Sequence, residues 1–462
     1  MVNADFFDID PIQATLEGAH AGVPLLDAVV GNPPFIRYHR FKGAARKRAQ
    51  QRASDEGVQL NGLSSSWASF VVHAASFLKS GGRLAMVVPG EIMHTSYSMP
   101  VLRFLTRTFQ DLYLLSFRKK LFSELSQDTA LLLAEHRGRP FRSLRVVDVE
   151  DVEKLPQLRL SGTDVDVRSI LDGNVRLIEY LLPTGVRDLY SKLKGHPRVK
   201  RLRDFATVGI GYVTGNNDFF HLTRSGVLEH GIPDEFLRKC VRKSSQLEGV
   251  LFTETDLHAL IDSGSASYLL DLSRVSEDIP EPIRRYLQRG ETQGVHEAFK
   301  CRVRKPWWKV PHIYECDGLL TYLGGTRIRL VANEAHVVAP NSLHIVRLTR
   351  SDERLMRALA VTWLSSLTAL STEIEGRSLG GGLLKMEPSE AARTLLVAPD
   401  AELETLAELA EQVDQLVRHG QWDQAQDLVD SVVLQRILLL GHGQIELLRQ
   451  GTRLLRHRRM SR

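Results

Sequence analysis

One short segment of the chain has residue types that could activate a poor nucleophile: Asn32-Pro33-Pro34-Phe35, directly after the apolar run from Leu25 to Val30. Proline fixes φ and has no N–H, so Pro33 and Pro34 cannot continue a sheet ladder, and the residue before a proline is pushed out of the helical region. Asn32 is therefore expected to stand extended at the carboxyl end of a strand. An amino group conjugated to a heteroaromatic ring has its lone pair delocalised into that ring. Two fixed acceptors on its N–H bonds pull the nitrogen towards a tetrahedral geometry and return the lone pair to it. The Asn32 side-chain oxygen and the Pro33 carbonyl are two such acceptors. Phe35 offers a flat apolar face on which the ring can stack. The competing reading is a strand closed by an Asn-Pro turn.

The flanking elements must hold that segment. From Ser64 to Lys79 the apolar positions Trp67, Phe70, Val71, Ala74 and Leu78 recur at helical spacing, with Gly81-Gly82 expected as the C-cap. A strand from Arg83 to Val88 is halted by Pro89. Next come a helix carrying Leu102 and Phe104, a strand near Leu112 to Phe117, and Phe122 leading to a strand from Thr129 to Leu133.

This succession resembles the amino-methylating S-adenosylmethionine enzymes, whose (Asp/Asn/Ser)-Pro-Pro-(Tyr/Phe) motif acts on N6 of adenine or N4 of cytosine. Val2-Asn3-Ala4-Asp5-Phe6-Phe7 looks like the family's strand-end Asp-Phe, which contacts the adenine of the cofactor. The order of segments is similar to the gamma-order N6-adenine DNA methyltransferases of restriction–modification systems, closely over residues 1 to 140 and more loosely beyond. The resemblance implies an α/β fold, with a partial Rossmann-like class I methyltransferase sheet. It also implies S-adenosyl-L-methionine against Asp5, Phe6 and Asn32, double-stranded DNA as substrate, and a flipped adenine between Phe35 and Phe122. The gamma order favours adenine, although the tetrapeptide also admits cytosine. Two other readings use the same motif: methylation of a protein glutamine or an RNA base, and a non-catalytic DNA-recognition subunit with a truncated methyltransferase domain.

The chain departs from that family at one point. There, a Phe/Pro-x-x-Gly-x-Gly loop for the methionine part of the cofactor and an acidic residue for its ribose precede the Asp-Phe strand. Here the sequence opens on the Asp-Phe. Gly209-Ile210-Gly211 and Gly380-Gly381-Gly382 lie far downstream and read as loop glycines. The amino-terminal region is thus expected to be incomplete by itself, with a second subunit or a longer form of the enzyme supplying the missing strands. Weak cofactor binding by the lone chain is the corollary.

The 462 residues carry 60 Lys and Arg against 55 Asp and Glu, a net charge of +5. Their distribution is uneven. Arg37, Arg40, Lys42, Arg46, Lys47, Arg48 and Arg52 are seven basic residues with no acid among them, interleaved with Tyr38 and Phe41, and they are candidates for phosphate contacts. A basic tail from Arg449 to Arg462 weighs less, because chain ends are often merely solvated.

Composition divides the chain into a partial catalytic domain (1–145), a linker with a helix (146–198), a mixed α+β target-recognition domain (199–400) and a helical carboxyl-terminal region (401–462). In the third, Val208 to Phe220 looks like the opening of the recognition region of the same enzymes. The Asn216 and Asn217 amides suit adenine's donor-acceptor edge, and good turn chemistry is the competing explanation. Arg304 and Lys309 are further candidates for DNA, while Trp307 and Trp308 read as core anchors. Leu403, Leu406, Leu409, Val413 and Leu416 form one helical stripe, with a core-facing role as the default. Cys240, Cys301 and Cys316 lack zinc spacing, and no metal is expected. No apolar stretch of about 18 residues argues for a membrane span, so a cytoplasmic protein is expected, and the resemblance implies a cognate restriction endonuclease as a partner.

Overall fold

The computed structural model describes residues 4–12, 23–36, 40–61, 64–94, 98–119, 121, 128–275, 279–379 and 381–461. Contacts divide the chain into two units: Met1–Arg187 with Arg377–Leu383 and Arg453–Arg462, and Asp188–Gly376 with Leu384–Thr452.

In the first unit the strand Leu26–Gly31 (β1) pairs in parallel with Leu78–Pro89 (β2), Val30 opposite Ala85 and Gly31 opposite Met86. Phe109–Phe117 (β3), Thr129–Arg137 (β4), Ser143–Val149 (β5) and Thr163–Asp164 (β6) complete a six-stranded sheet in the order β1-β2-β4-β3-β5-β6. Helices that accompany it include Gly43–Asp55 (α1), Ser66–Ser76 (α2) and Met99–Thr108 (α3). Strand residues alternate between two apolar layers, as the two-residue period of a strand requires. Leu112 and Leu114 join Trp67, Val71, Leu102 and Leu105 of the helices, whereas Tyr113, Leu115 and Phe117 join Val147 and Val149 on the other side.

Two expectations are corrected here. Gly81-Gly82 do not cap α2. That helix is closed by Phe77, whose N–H reaches the Ala74 and Ala75 carbonyls, and Leu78 already pairs with Leu26. The glycines instead lie inside β2 where the register slips from Leu26/Leu78 to Ala28/Arg83, and Gly81 adopts φ +81°, a bulge that glycine accommodates without strain. The first unit also runs past residue 145: Ser143–Val149 pairs in parallel with β3, its apolar pairs filling the sheet's second face.

In the second unit Ala206–Ile210 (β7), Leu251–Phe252 (β8), Gly318–Leu320 (β9), Leu330–Asn333 (β10) and His344–Leu348 (β11) form a five-stranded sheet in the order β7-β11-β9-β10-β8. All neighbours are antiparallel except the β10/β8 pair. The short helices Asn217–Phe220 (α4) and Phe299–Arg302 (α5) precede the long helix Leu403–Arg418 (α6). Of the expected α6 stripe, Leu406 and Val413 are buried, joined by Ala410 and Val417, whereas Leu403, Leu409 and Leu416 are only half-buried. Asp414 on that helix accepts the Val250 and Leu251 amides at 2.8 and 2.9 Å, and Arg418 reaches Asp256 at 2.6 Å, so the helix caps backbone donors at the β8 edge. Among the described residues no helix is long and apolar enough to cross a membrane.

Candidate functional site

β1 ends at Gly31, and the four residues after it leave the ladder as their prolines demand. Asn32 is exposed, Pro33 buried, and Phe35 half-buried against the core shared by α2 and the sheet. A clamp that the sequence did not reveal holds the segment. Ser66, fully buried at the start of α2, accepts the Ile36 amide at 2.9 Å and donates its hydroxyl hydrogen to the Pro34 carbonyl, while its own amide reaches the Ile36 carbonyl at 3.1 Å. A serine at a helix start reads locally as a cap, yet Ser65 in the N-cap position makes no side-chain cap bond, and the partners of Ser66 lie some thirty residues upstream. Among the described residues, neither the Asn32 side chain nor the Pro33 carbonyl has a hydrogen-bond partner, so neither acceptor is taken up by the protein.

Asp5 and Phe6 do not end a strand; they open a short 3-10 turn, Phe6–Asp8, with the Asp5 carboxylate accepting the Phe7 amide at 3.1 Å. That bond, with the Arg48 guanidinium beside it, holds the Asp5 carboxyl below its ordinary range. Arg48 reaches Asp5 at 3.0 Å and Asp8 at 3.0 Å. Arg52 bonds the Phe7 carbonyl at 2.9 Å and pairs with Asp10 at 2.6 Å. Arg48, a candidate for phosphate in the sequence, is here paired with two carboxylates. The basic cluster is acid-free in sequence, but α1 lies against an acidic turn from the chain's start. Arg46 donates to the Phe41 carbonyl at 3.4 Å, whereas Arg40, Lys42 and Lys47 are exposed. Arg37 and Phe122 lie outside the described residues.

Behind the turn, Phe6 stacks on Phe70 with ring centroids 5.4 Å apart and on Phe77 at 5.6 Å. His73 meets the Phe6 ring edge-on, its Nε2 3.1 Å from the Ile9 carbonyl and 3.3 Å from that of Phe6. Burial pushes its pKa down, so the neutral ring donates to those oxygens.

In the second unit, the residues proposed to read bases mostly build their own loop. The Asn216 side chain accepts the Phe219 amide at 3.1 Å as the N-cap of α4, and Asn217 accepts the Thr214 hydroxyl hydrogen at 2.7 Å. Arg304 donates to the Thr214 carbonyl at 2.6 Å and to that of Val213. Asn216 and Arg304 thus support their own loop, whose carbonyls and amides need partners to be held still. Asn217 remains exposed, and Lys309 is half-buried. Gly211 does allow a close backbone approach, but to protein: an added Cβ would fall on the Ala339 and Pro340 carbonyls. Next to it the Tyr212 hydroxyl meets His221 Nε2 at 2.9 Å, and His221 Nδ1 meets the Asn217 carbonyl at 2.9 Å. As expected, Trp308 is a core residue, and the buried Cys240, Cys301 and Cys316 are free thiols.

Residues 19–122 match the family described as Eco57I restriction-modification methylase, and residues 174–434 match the family described as type II methyltransferase M.Eco57I, C-terminal domain. The type II methyltransferase M.AccI of Acinetobacter calcoaceticus is 20% identical over 386 residues, covering 80% of this chain and 69% of that protein. M.XamI of Xanthomonas campestris pv. amaranthicola, another type II methyltransferase, is 22% identical over 375 residues, covering 80% of this chain and 67% of that protein. Among solved structures, the type IIL restriction-modification enzyme MmeI in complex with DNA has the same fold over 93% of this chain, with a TM-score of 0.56 and 12% identity. This chain spans 57% of the MmeI chain. With more than half of its length matched, the chain belongs to the family of the type II methyltransferase M.Eco57I, C-terminal domain.

Proposed function

We propose that this protein transfers a methyl group from S-adenosylmethionine to N6 of a flipped adenine in duplex DNA, within a restriction–modification system. The observation that carries the reading is the pair of acceptors at Asn32 and Pro33, without partners among the described residues and backed by the Ser66 clamp. Its family and the methyltransferases M.AccI and M.XamI support the reaction class, and the likeness to MmeI, solved with DNA, supports the substrate.

The Asn32 side-chain oxygen and the Pro33 carbonyl accept the two N–H bonds of the amine, drawing its lone pair out of the ring and stabilising the charge that develops on nitrogen. No general base starts the step, because the proton leaves only after nitrogen has become cationic. Phe35 stacks on the extruded base, and we assign Phe122 to its other side. When bound, S-adenosylmethionine supplies the electrophilic methyl. The residues present fit its adenine end: the Asp5 carboxylate accepts from Phe7 and Arg48 and still has lone pairs for an amino group, and Phe6 beside it is half-buried. Arg40, Lys42 and Lys47 are assigned to phosphates.

β1 is the last strand of its sheet among the described residues, and Val30 on it is 81% exposed. Both features favour a further strand from a companion chain along that edge; a restriction endonuclease of matching specificity completes the proposed system. The test is methyl transfer to plasmid DNA, by the chain alone and with the companion chain of its locus, followed by nucleoside analysis. N6-methyladenine is expected, and Asn32→Ala should slow its formation by roughly two to three orders of magnitude while DNA binding persists. N4-methylcytosine would overturn the adenine assignment. DNA binding with no methyl transfer under either condition would favour a recognition subunit.

A further inference from the structure

Within the second unit, α5 and the residues after it are anchored on one side and bare on the other. Cys301 is fully buried, with its thiol directed at the Thr214 carbonyl. Gly215 adopts φ +92° and lies so near the segment that an added Cβ would meet Cys301 Sγ at 2.9 Å and Lys300 Cβ at 3.0 Å. Arg304 ties the same segment to the Val213 and Thr214 carbonyls, and Trp307 packs on Phe219 with centroids 5.6 Å apart. A short stretch is thereby fixed from three directions. On its outer side Phe299 is 65% exposed and Val303 63% exposed, unusual values for large apolar side chains on so well anchored a backbone.

The charges within the segment have one sign, although Glu297 and Glu315 flank it and Glu291 accepts from Trp307 Nε1 at 3.1 Å. Between Ala298 and Tyr314 lie Lys300, Arg302, Arg304, Lys305 and Lys309 and no acid. Lys300, Arg302 and Lys305 are exposed and, among the described residues, have no acidic partner; the Lys300 ammonium lies 5.6 Å from the centre of the Phe299 ring. Protein interfaces are depleted in lysine, whereas a polyanion requires such unpaired cations.

We infer that the outer side of residues 299–305 is a DNA-contacting edge, with Phe299 and Val303 against apolar base edges such as the thymine methyl and Lys300, Arg302 and Lys305 on flanking phosphates. The inference rests on the proposal that the protein acts on duplex DNA. It assigns to this edge the readout that Asn216 and Arg304, committed to the loop beneath it, do not perform.

The test is binding of the full chain to a mixed-sequence DNA duplex over a salt series. Replacing Lys300, Arg302 and Lys305 together by Gln should lower the slope of log affinity against log salt by about three, at about 0.9 per phosphate contact. Phe299→Ser with Val303→Ser should weaken binding about tenfold and leave the slope unchanged. All five side chains are exposed, so both variants keep the parental melting temperature. If the parental chain binds with a strong salt dependence and both variants match it, this edge does not touch DNA, and the inference falls while the proposed function stands. A parental chain with no affinity for duplex DNA would overturn both.

Discussion

The Ser66 hydroxyl oxygen accepts the Ile36 amide at 2.9 Å, and this contact helps the first turn of α2 to fix the exit path of the Asn32 to Phe35 segment. The same hydroxyl donates to the Pro34 carbonyl, so one side chain stitches both sides of Phe35. Ser66→Ala leaves the Ile36 amide and the Pro34 carbonyl without their side-chain partner. The fold should survive with a loss of about 1–3 kcal/mol, whereas methyl transfer should fall about ten- to a hundredfold, since small misplacements of reacting groups are costly. A turnover number equal to the parental one, in protein with a parental circular dichroism spectrum, would remove Ser66 from the account.

The basic segment from Arg40 to Arg52 divides into two roles. Arg40, Lys42 and Lys47 face solvent, and their joint replacement by Gln should lower the salt slope of DNA binding by up to about three. Arg48 pairs with Asp5 and Asp8, so Arg48→Ala should leave that slope alone and instead raise the KM for S-adenosylmethionine by loosening the turn. A slope that drops with Arg48→Ala would return this residue to the phosphate contacts.

His221 makes the second unit sensitive to acid. Burial, with Arg242 nearby, lowers its pKa to about 4, well under the value of about 6.5 for an unfolded chain. Between those values the unfolded state binds a proton that the folded state does not. Stability is therefore full above about pH 6.5 and falls on acidification, by about 1.4 kcal/mol per pH unit, until about pH 4. Urea titrations across that window should show the midpoint falling, and His221→Leu should flatten the profile even if its midpoint starts lower. An equally steep profile in the variant would assign the proton to another group.

Gly211 is required by the neighbouring chain. A methyl group there would overlap the Ala339 and Pro340 carbonyls, which are backbone and cannot swing aside, and the Tyr212 to Ala339 hydrogen bond at 3.1 Å holds the two strands together. Gly211→Ala should cost about 1–3 kcal/mol, read as a lowered urea midpoint. Gly209→Ala, whose Cβ would meet Ile345 only at 3.5 Å, should cost far less. Equal losses at the two positions would refute the packing explanation.

The parts of this protein legible in its sequence are those with local causes. Two prolines dictate the extended exit at Asn32 whatever surrounds them. The apolar periods of α2, α3, β3 and β4 mark helices and strands because each element buries its own face. Partners distant along the chain were decided only in three dimensions. Folding brings Asp5 and Asp8 beside Arg48, and it brings Ile36 to Ser66, a partner that nothing in the local sequence announces. Gly81-Gly82 signalled a helix end, but the pairing of Leu78 with Leu26 claimed the segment for the sheet. Asn216 and Arg304 carried the right chemistry for DNA, yet a turn with bare backbone groups had prior need of them. A side chain's type bounds what it can bond, and tertiary structure decides which partner reaches it first, because a buried donor or acceptor left unpaired costs more than a solvent-exposed contact returns.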